Sequence, residues 1–169
     1  MSNTLKNIGE AFAGESQARN RYTFFAALAE KQGKPRTAAL FRATAQAEEI
    51  HARRLFNLLL KDKTLEDCLK EAIDGETYEY TKMYPTFQAK AKEEGKNAEA
   101  SLFGLLGPVE EQHAKQYTQA LEELKRGVDL GDTGLKVFLC PVCGFIEIGK
   151  DPYQCPVCKA SPDKFIVVS

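Results

Sequence analysis

Glu48-Glu49-Ile50-His51 and Glu110-Glu111-Gln112-His113 hold both histidines of the chain, each three residues after a glutamate. On a helix that spacing stacks carboxylate and imidazole on one face. Two such pairs on facing helices, with a glutamate from each of two more, make the ligand set of a carboxylate-bridged two-metal centre. Four further ligand candidates, Cys140, Cys143, Cys155 and Cys158, form two Cys-Pro-Val-Cys turns separated by residues 144–154. Two Cys-x-x-Cys turns offer four thiolates, enough for a tetrahedral one-metal site. An oxygen-rich two-metal site and a sulfur-rich one-metal site in one small protein point to electron transfer coupled to oxygen chemistry.

Four helical stretches must position the first set. Leu5, Ile8, Phe12, Glu15, Tyr22, Phe25 and Ala29 mark the first stripe, and Phe41, Thr44, Glu48, His51, Leu55 and Leu58 the second. Leu65, Leu69, Ala72, Glu76, Glu79 and Met83 mark the third, and Phe103, Leu106, Glu110, His113, Tyr117, Ala120 and Leu124 the fourth. Steps of three and four residues put each set on one inward face. Gly33 and Pro35 separate the first two stretches, Thr64 with Asp67 resembles a capping box opening the third, and Gly95 ends it with Asn97 placed to cap the fourth. Four long helices with short connections predict a bundle. Pro108, flanked by Gly104 and Gly107, should kink the fourth helix, introduce a π-bulge or restart it.

Glu15, Glu48, Glu76, Glu79 and Glu110 occupy stripe positions where leucine would be expected. A bare carboxylate in a helical core is costly or takes up a proton, and several together repel. Two divalent cations would largely cancel the charge. The competing reading is that some of these glutamates lie at stripe edges in water. Oxygen and imidazole ligands suit iron or manganese better than copper. Tyr22, two turns beyond Glu15, is either a hydrogen-bond partner of a ligand carboxylate or a core aromatic.

The chain has 169 residues, a net charge of −1 and no long apolar run. Nearly balanced charge argues against nucleic acid, no segment reads as a membrane span or a signal peptide, and a cytoplasmic setting is the expectation. Five cysteines in a reducing compartment read as metal ligands before disulfides, with Cys68 as a small core residue. Residues 1–126 form the helical domain and 127–134 a polar, glycine-rich linker. Residues 135–169 form the cysteine module, with strands expected at Val137–Leu139 and Phe165–Val168. Zinc is the default occupant of such a module. Beside a redox-active pair, iron is favoured, because a redox-silent ion would leave the bundle without an electron source.

Ala11-Phe-Ala-Gly-Glu15-Ser, Ala47-Glu48-Glu-Ile-His51-Ala, Gly75-Glu76-Thr-Tyr-Glu79, Met83-Tyr84-Pro85, Glu110-Glu-Gln-His113-Ala and the Cys-Pro-Val-Cys-Gly module together resemble the rubrerythrin family over nearly the whole chain. The resemblance implies a mainly α fold: a ferritin-like four-helix bundle followed by a small rubredoxin-like β metal-binding domain. It implies a non-haem di-iron peroxidase that reduces hydrogen peroxide to water. One iron would take Glu15 with either Glu79 or His51, the other Glu76 and His113, with Glu48 and Glu110 bridging. Glu79 and His51 would exchange at one iron on redox change. Tyr22 and Tyr84 would hydrogen-bond ligand carboxylates. Cys140, Cys143, Cys155 and Cys158 would hold a single iron that relays electrons. The family also implies a homodimer, with helix exchange between chains as an option. No Gly-x-Gly-x-x-Gly strand-turn-helix unit is present, so reducing equivalents, ultimately from NADH, would come through a separate reductase or rubredoxin. The rival readings are a ferroxidase or iron-storage protein on the same bundle, and a zinc-ribbon scaffold.

Overall fold

The computed structural model describes residues 3–130 and 135–168. The chain divides into two compact units, Met1–Thr64 and Leu65–Ser169.

The first unit is a helical hairpin of α1 (Asn3–Lys31) and α2 (Pro35–Leu60). Gly33 takes φ +68°, and Lys34 N–H donates to the Ala29 carbonyl at 2.9 Å, closing α1 with a left-handed cap. Pro35 opens α2, where its missing N–H costs nothing. The buried residues of the hairpin are all alanines: Ala18, Ala26 and Ala29 on α1, Ala38, Ala45 and Ala52 on α2. Small side chains let the two backbones approach closely. The aromatics sit along the same seam, with Phe12 stacked on Phe56 at 4.8 Å between ring centroids. Phe24, Leu28, Leu40 and Ile50 remain exposed.

The second unit begins with α3 (Leu65–Tyr78), which runs through a π-turn (Glu79–Met83) into α4 (Tyr84–Glu93). The third stretch, expected as one helix ending at Gly95, is therefore two helices joined by a π-turn that begins at Glu79. Tyr84 N–H reaches back five residues to the Glu79 carbonyl. Gly95, at φ +70°, ends α4, and Lys96 N–H donates to the Ala91 carbonyl at 2.8 Å. α5 (Asn97–Lys125) follows. Its cap position is Lys96 with no side-chain cap bond, so Asn97 is the first helical residue rather than the cap.

α5 runs unbroken through Pro108. The irregularity expected there falls instead at Glu79–Met83. Pro85, in the first turn of α4, lies directly after that π-turn and cannot donate to the Thr81 carbonyl. A Cβ at Gly104 would collide with the side-chain amide of Gln88, which lies over that turn and donates to the Ala100 carbonyl at 3.2 Å. The absence of side chains at Gly104 and Gly107 admits α4 close to α5.

A three-stranded antiparallel sheet closes the unit in the order β2-β1-β3, from β1 (Lys136–Leu139), β2 (Ile146–Gly149) and β3 (Ile166–Val168). Leu139 pairs with Ile146 on one side and Ile166 on the other. β2 is an addition to the sequence expectation, and the last strand starts at Ile166, one residue late. Of the linker 127–134, residues 131–134 lie outside the described residues. Cys68 is half-buried on α3 rather than in the core.

Candidate metal centres

Among the described residues, each unit holds one carboxylate–imidazole cluster. In the first, α1 supplies Glu15 and α2 supplies Glu48 and His51. His51 Nδ1 lies 2.9 Å from Glu48 Oε2 and 3.7 Å from Glu15 Oε1. In the second, α3 supplies Glu76 and α5 supplies Glu110 and His113, whose Nδ1 lies 2.9 Å from Glu110 Oε2 and 3.8 Å from Glu76 Oε2. The two clusters repeat one pattern, a Glu-x-x-His pair and one glutamate from the neighbouring helix. Ligand atoms about 2.1 Å from a metal stand about 3 Å apart at right angles, so both clusters fit around an ion with little adjustment.

Electrostatics favour a cation. Burial holds the carboxyls of Glu76, Glu79 and Glu110 above the usual range, and their mutual repulsion adds to it, while His113 opposes it. Glu15 is also raised, chiefly by a hydrogen bond to Glu48 that needs a shared proton. A cation among these carboxylates would relieve the repulsion and burial that raise them. Glu79 stands on the π-turn, half-buried and outside the three-residue cluster, yet close enough for the charge of Glu76 to raise it.

The two tyrosines differ. Burial, then Glu110, Glu79 and Glu76, push the Tyr84 phenol up, which puts it within the field of those carboxylates. Tyr22 sits in an aromatic group with Phe25 and Phe41, each 6.2 Å away between ring centroids.

Cys140, Cys143, Cys155 and Cys158 converge, with sulfurs 3.6 Å apart for Cys140–Cys158 and 3.5 Å for Cys143–Cys155. A disulfide would bring sulfurs to about 2.05 Å, whereas a tetrahedron with metal–sulfur bonds of about 2.3 Å has edges of about 3.8 Å. The two turns are built alike: Gly144 N–H donates to the Cys140 carbonyl and Lys159 N–H to that of Cys155. Cys140 N–H bonds the Phe145 carbonyl and Cys155 N–H that of Ala160. Burial pushes the Cys143 thiol far up. At Cys155 burial also pushes up, but the amides of Cys158 and Val157 outweigh it and leave the thiol below its usual value. Val109 of α5, 1% exposed, packs into the core formed by Cys140, Cys143, Phe145 and Cys155.

The cysteine module meets the second cluster directly. His113 Nε2–H donates to the Gly144 carbonyl at 3.0 Å, which leaves Nδ1, the nitrogen facing Glu110 and Glu76, free for a metal. Gln116, one turn on, donates from Nε2 to the Ile146 carbonyl at 2.8 Å. Sequence reasoning found the ligand candidates but neither of these bonds, because no local pattern ties a helix residue to a strand thirty positions later.

The model of the Rubrerythrin family matches residues 6–121, and that of its rubredoxin-like domain residues 138–166. Rubrerythrin of Nitratidesulfovibrio vulgaris is 38% identical, covering 93% of this chain and 90% of its own length. Rubrerythrin of Porphyromonas gingivalis is 37% identical, covering 93% and 86%, and Rubrerythrin-1 of Clostridium acetobutylicum is 36% identical, covering 98% and 94%. Among solved structures, nigerythrin in mixed-valence and all-ferrous states matches 99% of the chain with 33% identity and a TM-score of 0.58. With its ferritin-like helices carrying carboxylate and histidine donors for a di-iron site, and its four-cysteine rubredoxin-like domain, the chain belongs to the rubrerythrin family.

Proposed function

We propose that this protein is a peroxidase that reduces hydrogen peroxide to water. Glu15, Glu48 and His51 of the first unit, and Glu76, Glu79, Glu110 and His113 of the second, would be the ligands of paired irons. Cys140, Cys143, Cys155 and Cys158 would hold a single iron. The observation that carries the reading is the 3.0 Å bond from His113 to Gly144, which joins a candidate ligand of the pair to the first cysteine turn. An iron-storage protein has no use for that junction. When bound, the iron pair supplies two electrons to the O–O bond, which with two protons yields two waters.

The residues of the chain do the rest. The carboxyls of Glu76, Glu79 and Glu110, raised by burial, hold a proton more readily than free carboxylates and can pass it on. Glu79, outside the three-residue cluster, would be a ligand in one redox state, alternating with His51. Tyr84, in the field of three carboxylates, can donate its phenolic proton to one of them. Tyr22 would play that part for the first unit. The cysteines accept electrons singly from a separate reductase or rubredoxin, with NADH as the ultimate source, and the Gly144–His113 junction passes them inward. The exposed apolar side chains of the hairpin, Phe24, Leu28, Leu40 and Ile50, favour a homodimer in which a second copy covers them, with helix exchange as one way to do so. Among the described residues no helix is long and apolar enough to cross a membrane, and we expect a cytoplasmic protein.

The test is anaerobic reduction of the iron-loaded protein followed by peroxide. Stoichiometric loss of peroxide with no growth of a mineral iron core supports the reading. Iron uptake in large excess over the cluster ligands, with slow peroxide loss, would mean a ferroxidase.

A further inference from the structure

We infer that Gln116 is a positioning residue for electron transfer: it pins the free edge of strand β2 to α5 and so holds the first cysteine turn against His113. The inference rests on the peroxidase reading for its purpose and on the geometry of the second unit for its substance.

The register of the sheet shows why the pin is needed. Cys140 N–H bonds the Phe145 carbonyl, so 140 and 145 are a hydrogen-bonded pair and 138 and 147 are the next. Leu139 and Ile146 form the non-bonded pair between them, which turns the Ile146 carbonyl away from β1. β2 is an edge strand, so that carbonyl has no strand neighbour. The Gly144 carbonyl, two residues earlier in the cysteine turn, also faces α5, where it accepts from His113.

α5 meets both carbonyls with donors at matching spacing. His113 and Gln116 are three residues apart on one face, about 4.5 Å along the helix axis, against about 6.6 Å for two residues of strand. Two flexible side chains close that difference, at 3.0 Å and 2.8 Å. Val109 and Leu105, further back on α5, supply the apolar contact beneath the cysteine turn. Two hydrogen bonds from one helix face fix both position and rotation of the module, whereas His113 alone would leave it free to pivot. Gln116, Ile146, Glu76 and His113 also line one cavity of about 340 Å³, so a pivot would open into the space beside the ligand cluster.

The experiment uses the full chain with three variants. Gln116→Glu keeps the shape but replaces the donor with an oxygen that repels the Ile146 carbonyl, Gln116→Leu removes the polar group, and Gln116→Lys restores a donor. In the iron-loaded protein, peroxide-driven reappearance of the ferric tetrathiolate colour should slow about tenfold or more in Gln116→Glu and Gln116→Leu, and return to near the parent rate in Gln116→Lys. In zinc-loaded protein, nitrogen-15 relaxation should show independent motion of residues 136–168 relative to α5 in the first two variants and not in the third. Parent-like recolouring and parent-like relaxation in Gln116→Glu would overturn the pin. If the parent itself never recolours with peroxide, the peroxidase reading and the transfer role fall together, and the relaxation contrast then reports a merely structural contact.

Discussion

His113 of α5 and Gly144 of the first cysteine turn are joined by a 3.0 Å hydrogen bond, although thirty-one positions separate them in the chain. The bond fixes the imidazole tautomer with Nε2 protonated and Nδ1 turned to Glu110. A single contact thus sets which nitrogen can bind a metal and which part of the cysteine module lies beside it.

The turns containing Gly144 and Lys159 share one hydrogen-bond pattern, and both residues have positive φ, +87° and +64°. The glycine bears this freely, and the lysine does not. Gly144→Ala should lose about 1–2 kcal/mol of stability from backbone conformation alone, because its Cβ would meet Val109 only at an ordinary 3.7 Å. Lys159→Gly should gain up to about 1 kcal/mol. Thermal unfolding of zinc-loaded protein, followed in the module, measures both, and equal effects of the two changes would refute the comparison.

Metal-free protein should lose stability as pH rises above the ordinary glutamate value of about 4.3. Glu76, Glu79 and Glu110 have folded-state values above their unfolded ones, so over that range the folded chain binds more protons than the unfolded chain. Stability is then fully present below the unfolded value and falls as pH climbs through the raised values. Because these groups are partly exposed, the slope should be shallow. Glu76→Gln with Glu110→Gln should flatten it, and ferrous ion should reverse it by favouring the ionised carboxylates. Denaturant midpoints across pH, with and without metal, decide this.

Gly104→Ala should cost about 1–3 kcal/mol, because the Gln88 amide occupies the space a Cβ would need. Shortening Gln88 to alanine in the same chain should recover part of the loss, although the bond to the Ala100 carbonyl goes with it. A double-mutant cycle in urea measures the coupling, and additive losses would show that the close approach of α4 and α5 is not what requires glycine.

Much of this was legible in the sequence. Periodicity gave the four helical stretches, and Glu-x-x-His spacing together with the paired cysteine turns gave the clusters, because ligands one helical turn apart or in one tight turn are local facts. The π-turn at Glu79 was not read from the sequence, although Pro85 lies just after it and removes the N–H that would serve the Thr81 carbonyl. Pro108 drew the expectation to itself, yet α5 runs unbroken through it. Strand β2 was missed because Ile146–Gly149 is short and its one-sided partner, β1, lies across the cysteine turn. The bonds from His113 and Gln116 depend on docking between distant segments, which sequence spacing does not encode.

Cys155→Ser should leave iron binding at the carboxylate clusters intact while abolishing the ferric tetrathiolate absorption and electron delivery. Peroxide reduction by chemically pre-reduced protein should persist for a single turnover, and reductase-coupled turnover should fall by about a hundredfold or more. Full coupled turnover in this variant would remove the cysteine module from the electron path.

The most direct test of the account is Mössbauer spectroscopy of protein grown and purified with iron-57, oxidised and then reduced. The account predicts an oxygen- and nitrogen-ligated iron pair, magnetically coupled when oxidised, at about twice the intensity of a tetrathiolate site. A tetrathiolate signal alone, unchanged when Glu76 and Glu110 are both replaced by glutamine, would contradict it.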